Sequence, residues 1–326
     1  MTSAERANAG PLVTIGISTY NRAESTLPEA LDSALRQTYG ALEVIVCDNA
    51  STDGTEALLR ARRDPRLAFH RHAENIGANA NFNACLERAR GRFFLLLHDD
   101  DVLDETFVER AMTALEGRDP GVLLAGVRLI DAEGHGTGLV SGPPDGLTPS
   151  DLFLRWFERR FSFYLVSTLF HTERLRAAGG FASPEDLFQD VVAIARLAGR
   201  HGYVAVPGIG GSFRRHEMTR TKRSPAMRWA RDANYLLDAI CAEMPQAAAA
   251  LRAAGAPYFT ATCYRYVATE PSWWQRRAMY AHVYRLFGRT LPLWRHRART
   301  LQRRLARRVR RVTDRRPTPR DAGRTP

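Results

Sequence analysis

The chain has 326 residues, a hydrophobic fraction of 44% and a formal net charge of +12, enough for one large domain with additions. It contains no run of eighteen apolar residues, which excludes an apolar membrane span of ordinary length. The charge is uneven: residues 273–326 carry 17 Arg and 2 Asp, a net of +15 that leaves the remaining body near −3, so the basic balance describes a tail and not a basic groove through the body.

Met1–Gly10 is polar and lacks the apolar core of a signal segment, so no secretion is expected. Leu12–Ser18 (LVTIGIS) is β-branched and apolar and reads as a buried strand, and apolar positions at Ala30, Leu31, Ala34 and Leu35 give Glu29–Gln37 a helical spacing. Leu42–Cys47 reads as a second strand, Thr55–Arg63 as a helix, Leu67–His70 as a third strand and Asn79–Ala89 as a helix ended by Gly91. Phe93–Leu97 (FFLLL) is a fourth strand that runs straight into Asp99-Asp100-Asp101, and Phe107–Leu115 is again helical. Ala132–Ser150 is rich in Gly and Pro and reads as a loop. Then come a helix over Asp151–Phe161, a strand over Phe163–Phe170, a helix ending at Gly179-Gly180, a helix over Asp190–Gly199 and a strand over Tyr203–Pro207. From Met227 onward only helical patterns occur. Cys47, Cys85, Cys241 and Cys263 are scattered without metal-type spacing and read as reduced, buried thiols of a reducing cytoplasm.

Strands alternating with helices at this spacing predict a parallel sheet with crossover helices, and continuous apolar strands predict a sheet covered on both faces. In such sheets ligands bind beyond the carboxyl ends of the strands. The polar clusters lie there: Ser18-Thr19-Tyr20-Asn21 after the first strand, Asp48-Asn49 after the second, the Asp triplet after the fourth. Three adjacent carboxylates repel one another and are costly to desolvate, a cost that a hard divalent cation such as Mg²⁺ or Mn²⁺ removes. The alternative is a solvated acidic turn. Asp48 can accept from a ring N–H or a ribose hydroxyl, or close an Asx turn, or both.

STYNR (18–22), VCDNASTDGT (46–55), NIGANANFN (75–83) and LLLHDDDVL (95–103) together resemble, in order and spacing, family 2 glycosyltransferases of the GT-A fold, over roughly residues 11–220. The resemblance implies an α/β, Rossmann-like GT-A fold with a mostly parallel sheet flanked by helices. The chain then divides into a flexible 1–10, a nucleotide-sugar domain over 11–225, a helical extension over 226–300 and an Arg-rich tail over 301–326. It implies inverting transfer from a nucleoside-diphosphate-sugar, with uracil or thymine as the base, to a hydroxyl of a saccharide or lipid-linked acceptor, in the synthesis of cell-surface polysaccharide or glycoconjugate. Ser18, Thr19, Tyr20, Asn21 and Asn83 would belong to the donor site, with Asp48 on the base and Asp99 next to the ribose or the metal. Asp100 and Asp101 would hold Mn²⁺ or Mg²⁺; His98 stands where many relatives have the first Asp of the motif.

The stretch GGFASPEDLFQDVVAIARLAGRHGYVAVP (179–207) resembles the family segment in which a Glu-Asp pair begins a helix and supplies the base. Asp190 falls on the Asp and Gln189 on the Glu, with Glu185-Asp186 a rival by residue type. FRRHEMTRT (213–221) resembles the loop whose His approaches the metal or diphosphate, which makes His216 a further metal candidate and Arg215 and Arg220 candidate phosphate contacts. The segment 132–165, with Trp156 and Phe161, is expected to shape the acceptor pocket.

In the tail, Leu301, Leu305, Val309 and Val312 recur at helical spacing amid Arg, and Trp273, Trp274, Tyr280, Val283, Tyr284 and Phe287 lie upstream. Two readings stand side by side: an anionic membrane surface that this basic amphipathic stretch binds from the cytoplasmic side, or aromatic residues packed on the domain with a solvated tail. No base-stacking motif points to nucleic acid. Two other functions compete. Nucleotidyl transfer would want a Gly-rich phosphate loop where this chain has STYNRAEST, and a non-catalytic nucleotide-binding or scaffold protein would share the fold without needing Asp100 and Asp190.

Overall fold

The computed structural model describes residues 10–215, 226–292 and 294. Three parallel strands, β1 (Val13–Thr19), β2 (Leu42–Asp48) and β3 (Leu67–Arg71), alternate with α1 (Leu27–Leu35), α2 (Thr55–Ala61) and α3 (Ala78–Arg88), and α3 leads into β4 (Phe93–His98). After the two-residue β5 (Val102–Leu103) come α4 (Phe107–Ala114), β6 (Val122–Ile130), β7 (Gly136–Val140) and α5 (Pro149–Phe157). A short 3₁₀ turn then precedes β8 (Thr168–His171), α6 (Thr172–Ala177), α7 (Gln189–His201) and β9 (Tyr203–Arg214). The sheet runs β3-β2-β1-β4-β8-β6-β9-β5, with β7 on the flank of β6. β1 is parallel to β2 and β4, and β6 to β9, whereas β8 pairs antiparallel with both β4 and β6. The expected mostly parallel, helix-covered sheet is therefore present.

Alternation along β4 shows why its sequence is continuously apolar. Phe93, Leu95 and Leu97 join one core with α1 and α4, while Phe94 and Leu96 join the opposite core with α3, α5 and α7. Each fully buried side chain of this size contributes roughly 1.5–3 kcal/mol. Five in a row anchor a strand whose end must carry mutually repelling carboxylates.

The right-hand part of the sheet differs from the sequence expectation. β6 was not among the expected elements, β7 lies inside the expected loop 132–150, and the strand expected over 163–170 is divided between the 3₁₀ turn Leu165–Ser167 and β8. β9 continues past Pro207 through a glycine-rich stretch to Arg214. Those glycines hide the strand because they serve close approach rather than alternation: a Cβ on Gly211 would lie 2.6 Å from Val166 Cγ2 and 2.7 Å from the Val102 carbonyl oxygen.

α8 (Ala226–Glu243), α9 (Ala248–Val267) and α10 (Trp273–Phe287) extend the core on the α7 side. Trp229, Phe259 and Phe287 pack with Trp156, Phe157 and Phe188 in one aromatic cluster. α10 docks through Val283 and Phe287, with Tyr280 and Tyr284 against Tyr264. Among the described residues no helix is long and apolar enough to cross a membrane. The four cysteines are free and buried. Trp156 and Phe161, expected to shape an acceptor pocket, are 5% and 4% exposed within the core. Apolar bulk, not ligand contact, explains them.

Candidate active site

The carboxyl ends of β1, β2 and β4 lie side by side, because the register pairs Thr19 with Asp48 and Ser18 with His98. The loops leaving β1 and β2 are fastened to each other. Asn21, in the left-handed region at φ 53°, donates its N–H to Ser51 Oγ and accepts from Thr52 N, and Asp53 accepts from Ala23 N as well as from Thr55. Asp48 is fully buried. Its Oδ1 accepts from Ser51 N, three residues on, at 3.0 Å, which fastens the turn after β2 in place of the two-residue Asx bond, while Oδ2 has no hydrogen-bond partner and faces Arg71 Nε at 3.8 Å. Asn49 supports the next loop, accepting from Ile76 N and donating to Asn75 Oδ1.

The acid triplet turns immediately beyond β4. Asp99 Oδ2 accepts from Tyr20 N at 3.3 Å, tying it to the end of β1, and burial followed by the charge of Asp100 pushes its carboxyl up to about 6. Asp101 is 2% exposed and accepts from Arg214 N at 2.9 Å; burial and then Asp100 hold its carboxyl well above the ordinary range. The buried Arg214 side chain fixes this turn: Nε donates to the Asp100 carbonyl, Nη1 to the Ala132 carbonyl and Nη2 to Glu29 Oε2. Ligand atoms of His98, Asp100 and Asp101 all lie within 4.8 Å of one another. A compact oxygen and nitrogen set, with two neighbouring carboxyls disfavoured as anions, fits a divalent cation, whose charge would remove the repulsion.

Asp190 sits in the first turn of α7. Burial raises its carboxyl above the usual aspartate range; the Val191 N–H and the His98 charge oppose that shift, and Asp232 adds to it. His98, stacked on Phe82 with ring centroids 5.1 Å apart, acts electrostatically on both Asp99 and Asp190. Among the described residues eight buried side-chain polar atoms lack a hydrogen-bond partner, and three of them stand at the adjoining ends of β1, β2 and β4: Thr19 Oγ1, Asp48 Oδ2 and His98 Nε2. Buried polar atoms are almost always satisfied, so their concentration at one end of the sheet marks a place built for a polar ligand.

Ser18, Thr19, Tyr20, Asn21, Asp48, Asp99, Asp100 and Asp101 are thus brought to one edge, with Asp190 linked to it through His98. Asn83 is a correction: its amide donates to the Asn79 and Phe181 carbonyls and accepts from Phe181 N, which commits it to latching α3 onto the Gly180-Phe181 turn. The residue of α3 that reaches the site is Asn81, 1% exposed, which donates to Ser18 Oγ at 2.7 Å and the Cys47 carbonyl at 2.9 Å and bonds His72. Helical spacing could have found it, since Asn81 shares the buried face with Ala84 and Cys85. Arg215 follows β9, donating its N–H to the Ile130 carbonyl, with its guanidinium charge acting on Tyr164. His216 and Arg220 lie outside the described residues. The rival Glu185 is occupied by Arg228 and Arg231 of α8 at 2.6 Å each.

Several solved structures share this fold. S. aureus TarS 1–349 in complex with UDP-GlcNAc superposes with a TM-score of 0.66 at 16% identity, covering 86% of this chain and 82% of that one. The mannosyltransferase PcManGT from Pyrobaculum calidifontis, in complex with GDP-Man and Mn²⁺, does so at 0.51 and 22% identity over 95% and 89%. The fold is of the GT-A type. An uncharacterized glycosyltransferase of Methanocaldococcus jannaschii is 30% identical over 129 residues, 38% of this chain and 44% of that protein. A UDP-Glc:alpha-D-GlcNAc-diphosphoundecaprenol beta-1,3-glucosyltransferase of Escherichia coli is 33% identical over 105 residues, 32% of this chain and 41% of the relative. Each of these curated matches spans less than half of the relative's own length. The pattern described as Glycosyl transferase family 2 matches residues 14–191, more than half of the chain and the whole span from β1 to Asp190, and the chain therefore belongs to glycosyl transferase family 2.

Proposed function

We propose that the chain transfers a glycosyl group from a nucleoside-diphosphate-sugar to an acceptor hydroxyl by direct displacement with inversion, in the assembly of a polysaccharide or glycoconjugate. The observation that carries this reading is the clustering of unsatisfied buried polar atoms on Thr19, Asp48 and His98 at the strand ends beside the acid triplet. Asp48 Oδ2 would accept from the base or the ribose, and Tyr20, 45% exposed, offers a ring at the mouth of the same edge. Asp100 and Asp101, with His98 beside them, would hold Mn²⁺ or Mg²⁺. The chemistry such a cation supplies here is neutralisation of the diphosphate. Asp190, its carboxyl raised by burial, takes the proton from the attacking hydroxyl; a raised pKa brings a carboxylate closer to the strength a general base needs near neutrality. The E. coli relative, named for transfer from UDP-Glc to a diphosphoundecaprenol-linked sugar, and the TarS complex with UDP-GlcNAc support a uridine donor, and the first of them supports a lipid-linked acceptor.

A thermal-shift screen of UDP-, dTDP- and GDP-sugars with and without Mn²⁺ tests the reading directly, because a ligand that binds only the native state raises Tm. Stabilisation by a nucleotide sugar that depends on Mn²⁺ is the expected result; no shift from any of them at millimolar concentration would refute it.

A peripheral membrane seat belongs to the same proposal. α10 contains no acidic residue; its outer side carries Arg277 and Arg285, and Trp273 and Trp274 at its start are 53% and 65% exposed and stacked on each other. Exposed tryptophans beside arginines suit an anionic bilayer interface. Flotation with phosphatidylglycerol vesicles should carry the full chain upward, and should fail for the Trp273→Ala, Trp274→Ala double variant.

A further inference from the structure

α7 begins without a side-chain cap of its own: its N-cap position is Phe188, which makes no side-chain capping bond. The loop before it, Ser183–Phe188, is instead gripped from α8. Asp232 is fully buried, and its two oxygens accept four hydrogen bonds from that loop. Oδ2 takes Ser183 Oγ at 2.8 Å, Leu187 N at 2.8 Å and Phe188 N at 2.9 Å, and Oδ1 takes Glu185 N at 3.1 Å. Two further arms of α8 hold the outer side of the same loop, Arg228 Nε at 2.6 Å from Glu185 Oε2 and Arg231 Nε at 2.7 Å from Glu185 Oε1. The grip closes with Trp229 of α8 edge-on to Phe188, centroids 4.9 Å apart. Asp190 follows two residues later.

We propose that Asp232 is the positioning residue for Asp190: a carboxylate from the C-terminal helical layer fastens the loop that enters α7 and fixes the height and direction at which the base meets the acceptor hydroxyl. The inference rests on the reading of Asp190 as the base and deepens it, because it makes α8 a working part of the active site. A buried carboxylate receiving three backbone N–H groups is a strong anchor. Asparagine in its place offers a single acceptor oxygen and must turn an NH₂ toward one of those N–H groups. A loop freed by about 1 Å at a catalytic group can cost about 100-fold in rate.

The test uses the full chain as wild type and as Ser183→Ala, Asp232→Asn, Asp232→Ala and Asp190→Asn. Release of nucleoside diphosphate from UDP-GlcNAc, UDP-glucose and GDP-mannose is followed with Mn²⁺ present, alongside affinity for the free diphosphates and amide exchange over residues 183–192. The expected result is graded. Ser183→Ala loses a few-fold in kcat and Asp232→Asn about 100-fold, with KM for the donor and diphosphate affinity within twofold of wild type. Amides of Glu185, Leu187 and Phe188 exchange faster while those of β1 do not. If Asp232→Ala fails to fold, the serine and asparagine variants carry the comparison. Wild-type kcat in Asp232→Asn together with an inactive Asp190→Asn overturns the positioning role and leaves the base reading standing. Unchanged exchange at Leu187 and Phe188 in Asp232→Asn overturns the latch itself. Full turnover in Asp190→Asn overturns the base reading, and the positioning role with it.

Discussion

The two sides of the cleft are fastened in different ways. On the donor side each anchor comes from a neighbouring strand end: Asn21 and Ala23 bond the loop after β2, Asp48 closes its own turn, and Asp99 accepts from Tyr20. On the base side the anchors come from far along the chain, Asp232, Arg228 and Arg231 for the loop before Asp190 and Arg214 for the acid turn. Adjacent strands of a parallel sheet bring their carboxyl ends together by topology alone, so the donor side needs only short polar residues. Asp190, the proposed base, lies on a helix outside the row of strand ends, and the loop before it is held by α8.

If that division is right, the largest effect falls on the base. Asp190→Asn should lower transfer by about 10²–10⁴-fold, the usual contribution of a positioned general base, while Mn²⁺-dependent UDP binding measured by calorimetry stays as in wild type. Wild-type turnover would break the comparison at its centre. Next, Asp100→Ala should weaken UDP binding in the presence of Mn²⁺ by at least about tenfold, since even residues behind a metal's direct ligands carry 10–100-fold in affinity, and it should leave metal-free UDP binding unchanged. Equal affinity with and without the substitution would remove the cation from the donor side.

Two asparagines two residues apart on α3, about half a helical turn, sharpen the contrast. Asn83→Ala leaves Phe181 N without its acceptor and should cost about 1–3 kcal/mol of stability in urea unfolding, with UDP affinity untouched. Asn81→Ala frees Ser18 and should reduce UDP affinity several-fold. Reversed outcomes would return Asn83 to the donor site. The smallest effect concerns pH. Burial raises the Asp190 carboxyl, so the folded chain holds that proton more tightly than the unfolded chain and loses stability as pH rises from the ordinary aspartate range through the folded pKa. Asp190→Asn should therefore raise Tm relative to wild type by an amount that grows from pH 4 to pH 8. A difference independent of pH would show that the carboxyl is not strained by burial.

Much of the site was legible because its residues stand where a strand pattern stops. Ser18 through Asn21, Asp48 and the triplet each follow an apolar run, and a motif at the end of a strand announces itself. Asn83 misled because Asn79, Asn81 and Asn83 are the same residue type, and only the face each occupies on α3 distinguishes the one that reaches Ser18 from the pair that bonds Phe181. Trp156 misled because aromatic residues in a polar segment read equally well as ligand contacts or as core. β6 and the far half of β9 were passed over for different reasons. The first lies between two elements already assigned, and the second carries glycines that accommodate Val166 and Phe107 rather than an alternating pattern.

By itself the sequence determined the left half of the sheet, the order of the polar strand ends and the identity of the carboxylates, since each follows from local periodicity and from chemistry carried on contiguous residues. Tertiary structure alone decided which asparagine bonds Ser18, that Arg214 fixes the acid turn, and that Asp232 holds the loop before Asp190. Those roles depend on which distant groups share a buried space where an unmet hydrogen bond is costly, and that information exists only once the helices have packed.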